Sequence, residues 1–231
     1  MSIFDRFNLK RRKKGMYLYT EQELDEYEAY IEEKFGKCDK VLHEIVSPDI
    51  HLDILVISPT NESPFYKLIT MGVGAYRMNV PKEISSYELE YAELILYLPK
   101  EWDLNSKDEQ DYWPIRILKI IGRISINSNT WIGFGHTIHG NENMTAFAEN
   151  TKQNTILLLA GCDLQYNRLD LRLKNGKKMN IYQLFPLYQE ELEYKQANSV
   201  DALLELFPDE DILPVINIRR ENYGMIALLP I

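Results

Sequence analysis

Cysteine is scarce in this sequence, with Cys38 and Cys162 as the two examples among 231 residues. Because they lie far apart and form no CxxC pair, the sequence argues against a disulfide framework and a zinc ribbon. Long apolar runs are missing too, since no segment approaches the roughly 20 residues needed to span a bilayer. No apolar stretch follows the first basic residues to make a signal peptide. These absences predict a protein of the reducing cytoplasm with no membrane partner.

Basic residues are outnumbered by acidic ones, which gives the chain a formal charge of −9. The first 15 residues nevertheless hold six bases against Asp5, a local charge of +5 that leaves −14 for the remainder. A body this acidic repels phosphate backbones, so we do not expect nucleic acid as a direct partner, whereas a cationic protein is compatible. We interpret residues 1–18 as a basic flexible leader and residues 19–231 as one domain, because chain ends are commonly poorly ordered.

The first half of the chain predicts one helix followed by short strands. Thr20 and Glu23 form a capping box, and apolar residues recur at helical spacing until Gly36 ends the helix. The segments that follow are rich in β-branched residues, and their short connections favour antiparallel pairing. The predicted strands are residues 41–46, 50–57, 66–76 and 92–98.

The second half adds helices and a hairpin. Asp111 is predicted to cap a helix that has Pro114 in its first turn and Arg123 on its outer face. The dipeptide Asn175-Gly176 predicts a hairpin with a type I′ turn. The other predicted elements are strands 155–160, 169–173 and 179–184, helices 186–195 and 200–207, and a docked tail over 212–231. The pattern predicts an α+β fold, a single compact domain with a central mixed, largely antiparallel sheet flanked by helices.

Histidines and an aspartate are the candidates for chemistry. Strand alternation places His51 and Asp53 on one face, and His136 and His139 lie three residues apart in a glycine-rich loop. If that loop folded over the strand, these side chains and His43 would form a set that zinc or a non-haem metal accepts. In the other interpretation, His51 and Asp53 hydrogen-bond each other and pin a loop, because half-buried polar groups must find partners.

Patterns for covalent catalysis and phosphate binding are missing. Neither cysteine lies in a nucleophile motif, and residues 133–135 match no phosphate-binding loop. Aromatic residues surround the glycine loop, among them Trp131, Phe134 and Phe147. Large rings anchor protein interfaces but also dominate cores, so both interpretations of these residues stay open.

An ordered set of segments resembles the suppressor-of-fused-like domain family, specifically its bacterial members. These segments are His43 to Asp53, Thr70 to Pro81, Ala92 to Pro99, Tyr112 to Arg116, Trp131 to His139, Phe147 to Thr151 and Tyr182 to Tyr188. The resemblance implies a binding protein. The animal member sequesters a transcription factor, and bacterial members are proposed as immunity proteins that neutralise polymorphic toxins. The animal protein also carries a carboxy-terminal ligand-gripping domain, for which we expect no counterpart here.

We therefore expect a non-catalytic protein-binding domain without a cofactor, an immunity protein whose partner is a toxin domain. The residues expected to bind the partner or organise its loops are His43, His51, Asp53, Trp131, Gly133, Phe134, Gly135, His136, Thr137, His139 and Asn150. One alternative is a metal-dependent enzyme that uses His43, His51, Asp53, His136 and His139. Another is a scaffold that adds a peptide to a sheet edge. No oligomeric state is predicted.

Overall fold

The computed structural model describes residues 15–163, 167–208 and 215–227. Residues 1–14, which make up most of the predicted basic leader, lie outside these ranges. Tyr17 is attached to the domain, because its amide donates to the Asp49 carbonyl at 2.8 Å in a parallel bridge beside Ile50.

The first helix, α1 (Glu21–Phe35), forms where the sequence predicts it. The Thr20 hydroxyl accepts a hydrogen bond from the Glu23 amide, and the Glu23 carboxylate accepts one from the Thr20 amide, which is the expected capping box. Gly36, at φ 86°, ends the helix in a conformation that glycine adopts without strain. Tyr27 is buried against the sheet, so α1 covers one of the two sheet faces.

Eight strands form one mixed sheet. They are β1 (Lys40–Leu42), β2 (Asp53–Ile57), β3 (Phe65–Met71), β4 (Ala92–Pro99), β5 (Thr137–His139), β6 (Thr155–Ala160), β7 (Asp170–Arg172) and β8 (Lys178–Leu187). Their order is β1-β2-β3-β4-β8-β6-β5, and β7 pairs with the start of β8. Within the described chain, β4 and β8 form the one parallel pair. The predicted α+β fold with a mixed, largely antiparallel sheet in a single compact domain is confirmed.

The first two strands are shorter than predicted. β1 ends at Leu42 and β2 begins at Asp53, with Leu42 opposite Ile54 in the antiparallel register. Residues 43–52 form a wide loop instead of a tight turn, because the Glu44 amide bonds the Asp53 side chain rather than a neighbouring strand.

The long helix α2 (Glu109–Asn127) packs on the opposite face of the sheet from α1. Its cap is Asp108, whose carboxylate accepts a first-turn amide, and not Asp111 as predicted. Pro114 therefore lies deeper in the helix than the first turn, and it is buried beside Trp113.

The predicted hairpin is present between β7 and β8, but its turn is of another type. Gly176 has φ 87°, whereas Asn175 is not among the residues with positive φ. The Leu173 amide donates to the Lys177 carbonyl, and the Gly176 amide donates back to Leu173. This is a three-residue loop with a single left-handed glycine rather than a type I′ turn, which needs two such residues.

Pro186 lies inside β8 rather than opening a helix. β8 leaves β4 after Gln183, and a proline is tolerated where a strand is paired on one side only. The helices that follow are α3 (Gln189–Ala197), α4 (Val200–Leu204) and α5 (Tyr223–Ala227). Within the predicted docked tail, Ile216 is buried, while residues 212–214 and 228–231 lie outside the described ranges.

The core lies on both faces of the sheet, as the alternation of side chains along β4 demonstrates. Leu94, Leu96 and Leu98 belong to the cluster that includes α2, whereas Ile95 and Tyr97 belong to the cluster that includes α1. The helix α1, the sheet and the helix α2 thus form three layers, and the loops at both ends of the strands pack against them.

β4 and β8 separate toward their carboxyl ends. Their pairing stops at Ile95 and Gln183, beyond which β8 continues beside β6 alone. The segment 215–218 enters the gap, where the Ile216 amide donates to the Tyr97 carbonyl at 2.9 Å. A groove remains between the two strands at this end of the sheet.

Candidate functional site

A buried aspartate organises the loop before β2. Asp53 is fully buried at the start of that strand. One carboxylate oxygen accepts the Glu44 amide at 2.9 Å, and the other lies 3.2 Å from His43 Nδ1 and 3.3 Å from His51 Nε2. Three predicted site residues are therefore brought together, and the expected contact between His51 and Asp53 is present.

Arg123 of α2 fastens this loop from the other side. Its guanidinium donates to both carboxylate oxygens of Glu44 at 2.7 Å and to Asp49 at 3.1 Å. The Ser47 hydroxyl donates to Glu44 at 2.9 Å and lies 2.8 Å from His51 Nδ1, which links the two halves of the network. The predicted outer position of Arg123 is wrong. Its side chain turns inward to bond Asp49 and Glu44, which lie 74 and 79 residues earlier in the chain.

The contact between His51 and Asp53 favours the charged form of both groups. The hydrogen bond with Asp53 raises the pKa of His51, against the effect of partial burial. Burial alone would raise the pKa of Asp53, but hydrogen bonds from His51 and from the Glu44 amide outweigh it and lower that pKa. The network therefore favours a protonated imidazole beside an ionised carboxylate.

The tip of the same loop is apolar and exposed. Ile45 is 98% exposed and Val46 is 69% exposed, although the flanking Glu44 and Ser47 bond inward. The polar network thus holds two large aliphatic side chains in solvent. Such an arrangement is suited to contact with another molecule.

A second surface lies at the edge strand β5. We define the glycine-loop surface as Trp131, Gly133, Phe134, Gly135, His136, Thr137 and His139. Gly135 has φ 81°, its amide donates to the Leu158 carbonyl at 2.8 Å, and its carbonyl accepts from Lys195 Nζ at 2.7 Å. The neighbouring Phe134 is 52% exposed. The turn is anchored on both sides while it presents an aromatic ring.

The two histidines of this surface have separate neighbours. The His136 ring lies 4.3 Å from the Trp131 ring, and burial lowers the pKa of His136. His139 Nδ1 lies 2.9 Å from the Thr155 hydroxyl of β6. Both imidazoles therefore help to fix the loop and the edge strand to the sheet.

The sheet order separates these histidines from Asp53. β2 and β5 are five strand positions apart, about 24 Å along a sheet at the usual spacing. The alternative prediction of a metal site requires five side chains to converge, and it is therefore wrong. Its predicted ligands were His43, His51, Asp53, His136 and His139. Across the residues that the structure describes, no group of three or more His, Cys, Asp or Glu side chains is placed to hold a metal ion.

Asn150 bonds to the start of α2. Its side-chain nitrogen donates to the Gln110 carbonyl in the first turn of α2 at 3.0 Å. Phe147 belongs to the core, since its ring stacks on Trp113 with centroids 4.8 Å apart and planes 6° apart. The aromatic residues around the glycine loop thus divide into an exposed ring, Phe134, and a core ring.

Glu93 is a buried acid that the sequence analysis missed. It lies in β4 and accepts hydrogen bonds from the hydroxyls of Tyr19 and Thr70 and from the amides of Gly72 and Gly74. The sequence does indicate this buried acid, because Glu93 lies within an otherwise apolar strand, where a carboxylate needs buried hydrogen-bond partners.

Glu191 and Arg220 form a second buried charged group that was missed. Arg220 Nη2 donates to Glu191 at 2.7 Å and to the Pro186 carbonyl at 2.8 Å. Its guanidinium lies 4.9 Å from the Tyr188 ring centroid and 4.8 Å from that of Phe207. The sequence pair Arg219-Arg220 gave no indication of which arginine turns inward.

Stability is expected to decline with rising pH because of Glu93. Burial raises its pKa from 4.5 to about 7, although four hydrogen bonds favour the ionised form. The folded protein holds this proton more tightly than the unfolded chain, so the stabilisation is complete below pH 4.5 and is lost as the pH rises through about 7. From about pH 5 to 8, wild type should lose about 2.5 kcal/mol more unfolding free energy than Glu93→Gln, measured with urea.

The exposed Glu83 provides a matched control for this pH experiment. Glu83→Gln removes the same charge without a buried carboxylate, so its pH profile should follow that of the wild type. Parallel profiles for the wild type and Glu93→Gln would contradict the assignment of the pH dependence to Glu93.

The fold is an α+β domain with one mixed sheet, and two organised loop surfaces lie at its edges. Residues 48–221 match the suppressor of fused protein (SUFU) family. The protein belongs to the suppressor of fused family, since the match covers well over half of the chain. The resemblance predicted from the sequence is confirmed. Uncharacterized protein UU111 of Ureaplasma parvum serovar 3 is 27% identical over 214 residues, which cover 90% of this chain and 98% of that protein.

Solved structures share the fold. A suppressor of fused homologue from Neisseria gonorrhoeae FA 1090 aligns with TM-score 0.57 and 13% identity, over 84% of this chain and 93% of that chain. Drosophila Suppressor of Fused aligns with TM-score 0.64 and 14% identity, over 89% of this chain and 52% of the Drosophila chain. A chain of the Sufu–Fu complex aligns with TM-score 0.60 and 14% identity, over 88% and 91% of the two chains. Among the described helices, none is long and apolar enough to cross a membrane.

Proposed function

We propose that this protein is a non-catalytic protein-binding domain of the cytoplasm, an immunity protein that binds and neutralises a toxin domain. Family membership carries the binding role, because a related Sufu chain has been solved in complex with Fu. The immunity role rests on the resemblance to bacterial members of the family. We propose residues 19–231 as the binding unit and residues 1–18 as its leader.

The glycine-loop surface is the proposed centre of partner binding. Phe134 presents a ring on a turn that Leu158 and Lys195 already hold in place. Binding through such a turn loses little conformational entropy, because the backbone is ordered before the partner arrives. Aromatic anchors of this kind dominate the energetics of protein interfaces.

The loop tip at Ile45 and Val46 is the proposed second contact. In this proposal His43, His51 and Asp53 act as loop organisers, since they lie behind the tip and hold its backbone. The acidic body attracts a cationic partner surface, which speeds association and makes the rate fall with added salt.

The immunity role is tested with any toxin domain that an adjacent gene encodes. The purified toxin domain is assayed alone and with an equimolar amount of the immunity protein, and complex formation is measured by size-exclusion chromatography. We expect a stable complex and loss of toxin activity. A neighbouring toxin that stays unbound and fully active would sink the proposal.

Phe134→Ala is expected to weaken partner binding by at least tenfold. Truncation of a central aromatic anchor typically costs about 2 kcal/mol or more of binding free energy. Calorimetric titration with the partner measures the change, and urea unfolding checks that the variant is folded. The matched control is Tyr87→Ala, which removes another exposed ring, 66% accessible, from the short 3₁₀ helix Lys82–Tyr87 outside the glycine-loop surface.

The control should bind within about twofold of the wild type, because surface truncations away from an interface change little. Equal losses in both variants, or full affinity in Phe134→Ala, would place the interface elsewhere.

A further inference from the structure

The groove between β4 and β8 has the position of a ligand site. It encloses about 580 Å³ and opens between Pro99 of β4 and Pro186 of β8, with Ile216 on its wall. In open parallel α/β sheets, ligands bind in the crevice outside the carboxyl ends of the strands, and the β4–β8 pair is a local version of that arrangement. β4 and β8 are parallel and diverge at this point. The volume falls within the range of known small-ligand and side-chain pockets.

An aromatic wall of the groove is fixed in place. Trp102 Nε1 donates to the Asp111 carbonyl at 2.8 Å, and its ring meets Trp113 edge-on at 6.2 Å. The Trp102 ring also lines the groove. A flat indole that is fixed in place is a favourable surface for a cation or for the apolar part of a long side chain.

The polar groups of the groove require a hydrogen-bond donor. Asn150 Oδ1 is buried and has no partner, and the hydrogen bond from Asn150 Nδ2 to Gln110 prevents the amide from turning over. Asp111 also lines the groove. Among the described residues, no donor or cation reaches the Asp111 carboxylate. Two acceptor-bearing residues in one groove suit a ligand with two donors.

Among the charged residues around the groove, Asp111 is the acid available to a cationic ligand. Glu101 and Asp111 line it, together with Arg219 and Arg220. Arg220 is paired with Glu191, and Glu101 lies 3.8 Å from Lys100 Nζ. Of the two acids, Asp111 is thus the one without a cation partner among the described residues, and Arg219 is exposed.

The geometry points to a receptor groove for the guanidinium group of an arginine side chain on a protein partner. Asn150 Oδ1 and the Asp111 carboxylate accept its hydrogen bonds, and Trp102 covers its face. The planar fork of a guanidinium offers two donors in one plane, which matches paired acceptors better than the single ammonium of lysine. This inference rests on the proposed protein-binding role and extends it to a third contact, and its test needs no partner protein.

The test titrates the ¹⁵N-labelled full chain with the peptide acetyl-Gly-Arg-Gly-amide. The reporters are the Trp102 indole N–H and the Asn150 side-chain amide in ¹H–¹⁵N spectra, assigned with Trp102→Phe and Asn150→Asp. We expect saturable shifts at both reporters. The same peptide with citrulline in place of arginine keeps the shape and loses the charge, so it should bind at least about tenfold more weakly.

Asp111→Asn should weaken arginine-peptide binding by about tenfold, because it removes the charged acceptor. Glu149→Gln is the matched control, since it neutralises an exposed acid beside Asn150 that does not line the groove, and it should bind within about twofold of the wild type.

Equal binding of the arginine and citrulline peptides, no effect of Asp111→Asn, shifts at Phe134 instead of Trp102, or no saturation at tens of millimolar would each overturn the arginine assignment. The two proposals fail separately. Loss of partner binding in Phe134→Ala leaves the groove titration unchanged, and an empty groove leaves the Phe134 interface intact.

Discussion

Arg220→Met should lower the free energy of unfolding by about 3 to 5 kcal/mol. The side chains of Arg220 and Glu191 are 3% and 0% exposed, so the substitution leaves a carboxylate buried without its cation. The Arg220 guanidinium also packs against the rings of Tyr188 and Phe207. Because methionine keeps most of the apolar volume, the lost stability reflects the missing charge and hydrogen bonds. Equilibrium unfolding in urea measures it.

A double variant separates the lost ion pair from other effects. Replacing both partners, as in Glu191→Leu with Arg220→Met, removes the stranded charge and should recover about 2 kcal/mol. Recovery stays incomplete because Glu191 also accepts the amides of Tyr188 and Tyr223.

An exposed pair provides the matched control for Arg220→Met. The side chains of Arg172 and Glu88 are 54% and 47% exposed, so Arg172→Met should cost far less stability than Arg220→Met. Equal losses for Arg172→Met and Arg220→Met would contradict the burial argument.

Gly72→Ala should be the most disruptive glycine substitution near the Asp53 network. Gly72 follows β3 at φ 124°, and an added Cβ would lie 1.9 Å from the His51 carbonyl oxygen. Left-handed strain and the forced shift of the His51 backbone together cost about 2 to 5 kcal/mol. Urea unfolding measures this loss.

A second readout follows from the position of His51. When its backbone moves away, the hydrogen bond to Asp53 that raises the pKa of His51 weakens, so the imidazole should titrate closer to its ordinary pH. The titration is followed by NMR of the imidazole protons.

The control for Gly72→Ala is Gly36→Ala. Gly36 also has positive φ, 86°, but an added Cβ meets nothing within 4 Å. Gly36→Ala should therefore cost about 1 to 2 kcal/mol from strain alone and leave the His51 titration unchanged. A Gly72→Ala protein as stable as Gly36→Ala would contradict the predicted clash.

Elements governed by neighbouring residues could be predicted from the sequence. The capping box of Thr20 and Glu23 and the glycine at position 36 predicted the first helix, because the residues that cap it at both ends are its neighbours in sequence. The apolar run of β6 and the hairpin at Gly176 are likewise local patterns.

Features governed by distant residues could not be predicted. Arg123 occupies a position that helical periodicity assigns to solvent, and it turns inward because Glu44 and Asp49 lie against α2. The separation of His136 from Asp53 likewise depends on sheet order, which no spacing along the chain encodes. Family resemblance supplied the binding role but no geometry.

The late entry of segment 215–218 into the sheet has a consequence for synthesis on the ribosome. The Ile216 amide bonds the Tyr97 carbonyl of β4, and Arg220 pairs with Glu191. The gap between β4 and β8 is therefore filled only after these residues leave the exit tunnel. Contacts this remote in sequence form late, because a long loop must close first. Until residue 220 has been synthesised, the nascent chain therefore keeps the gap between β4 and β8 open and the Glu191 carboxylate without its arginine partner.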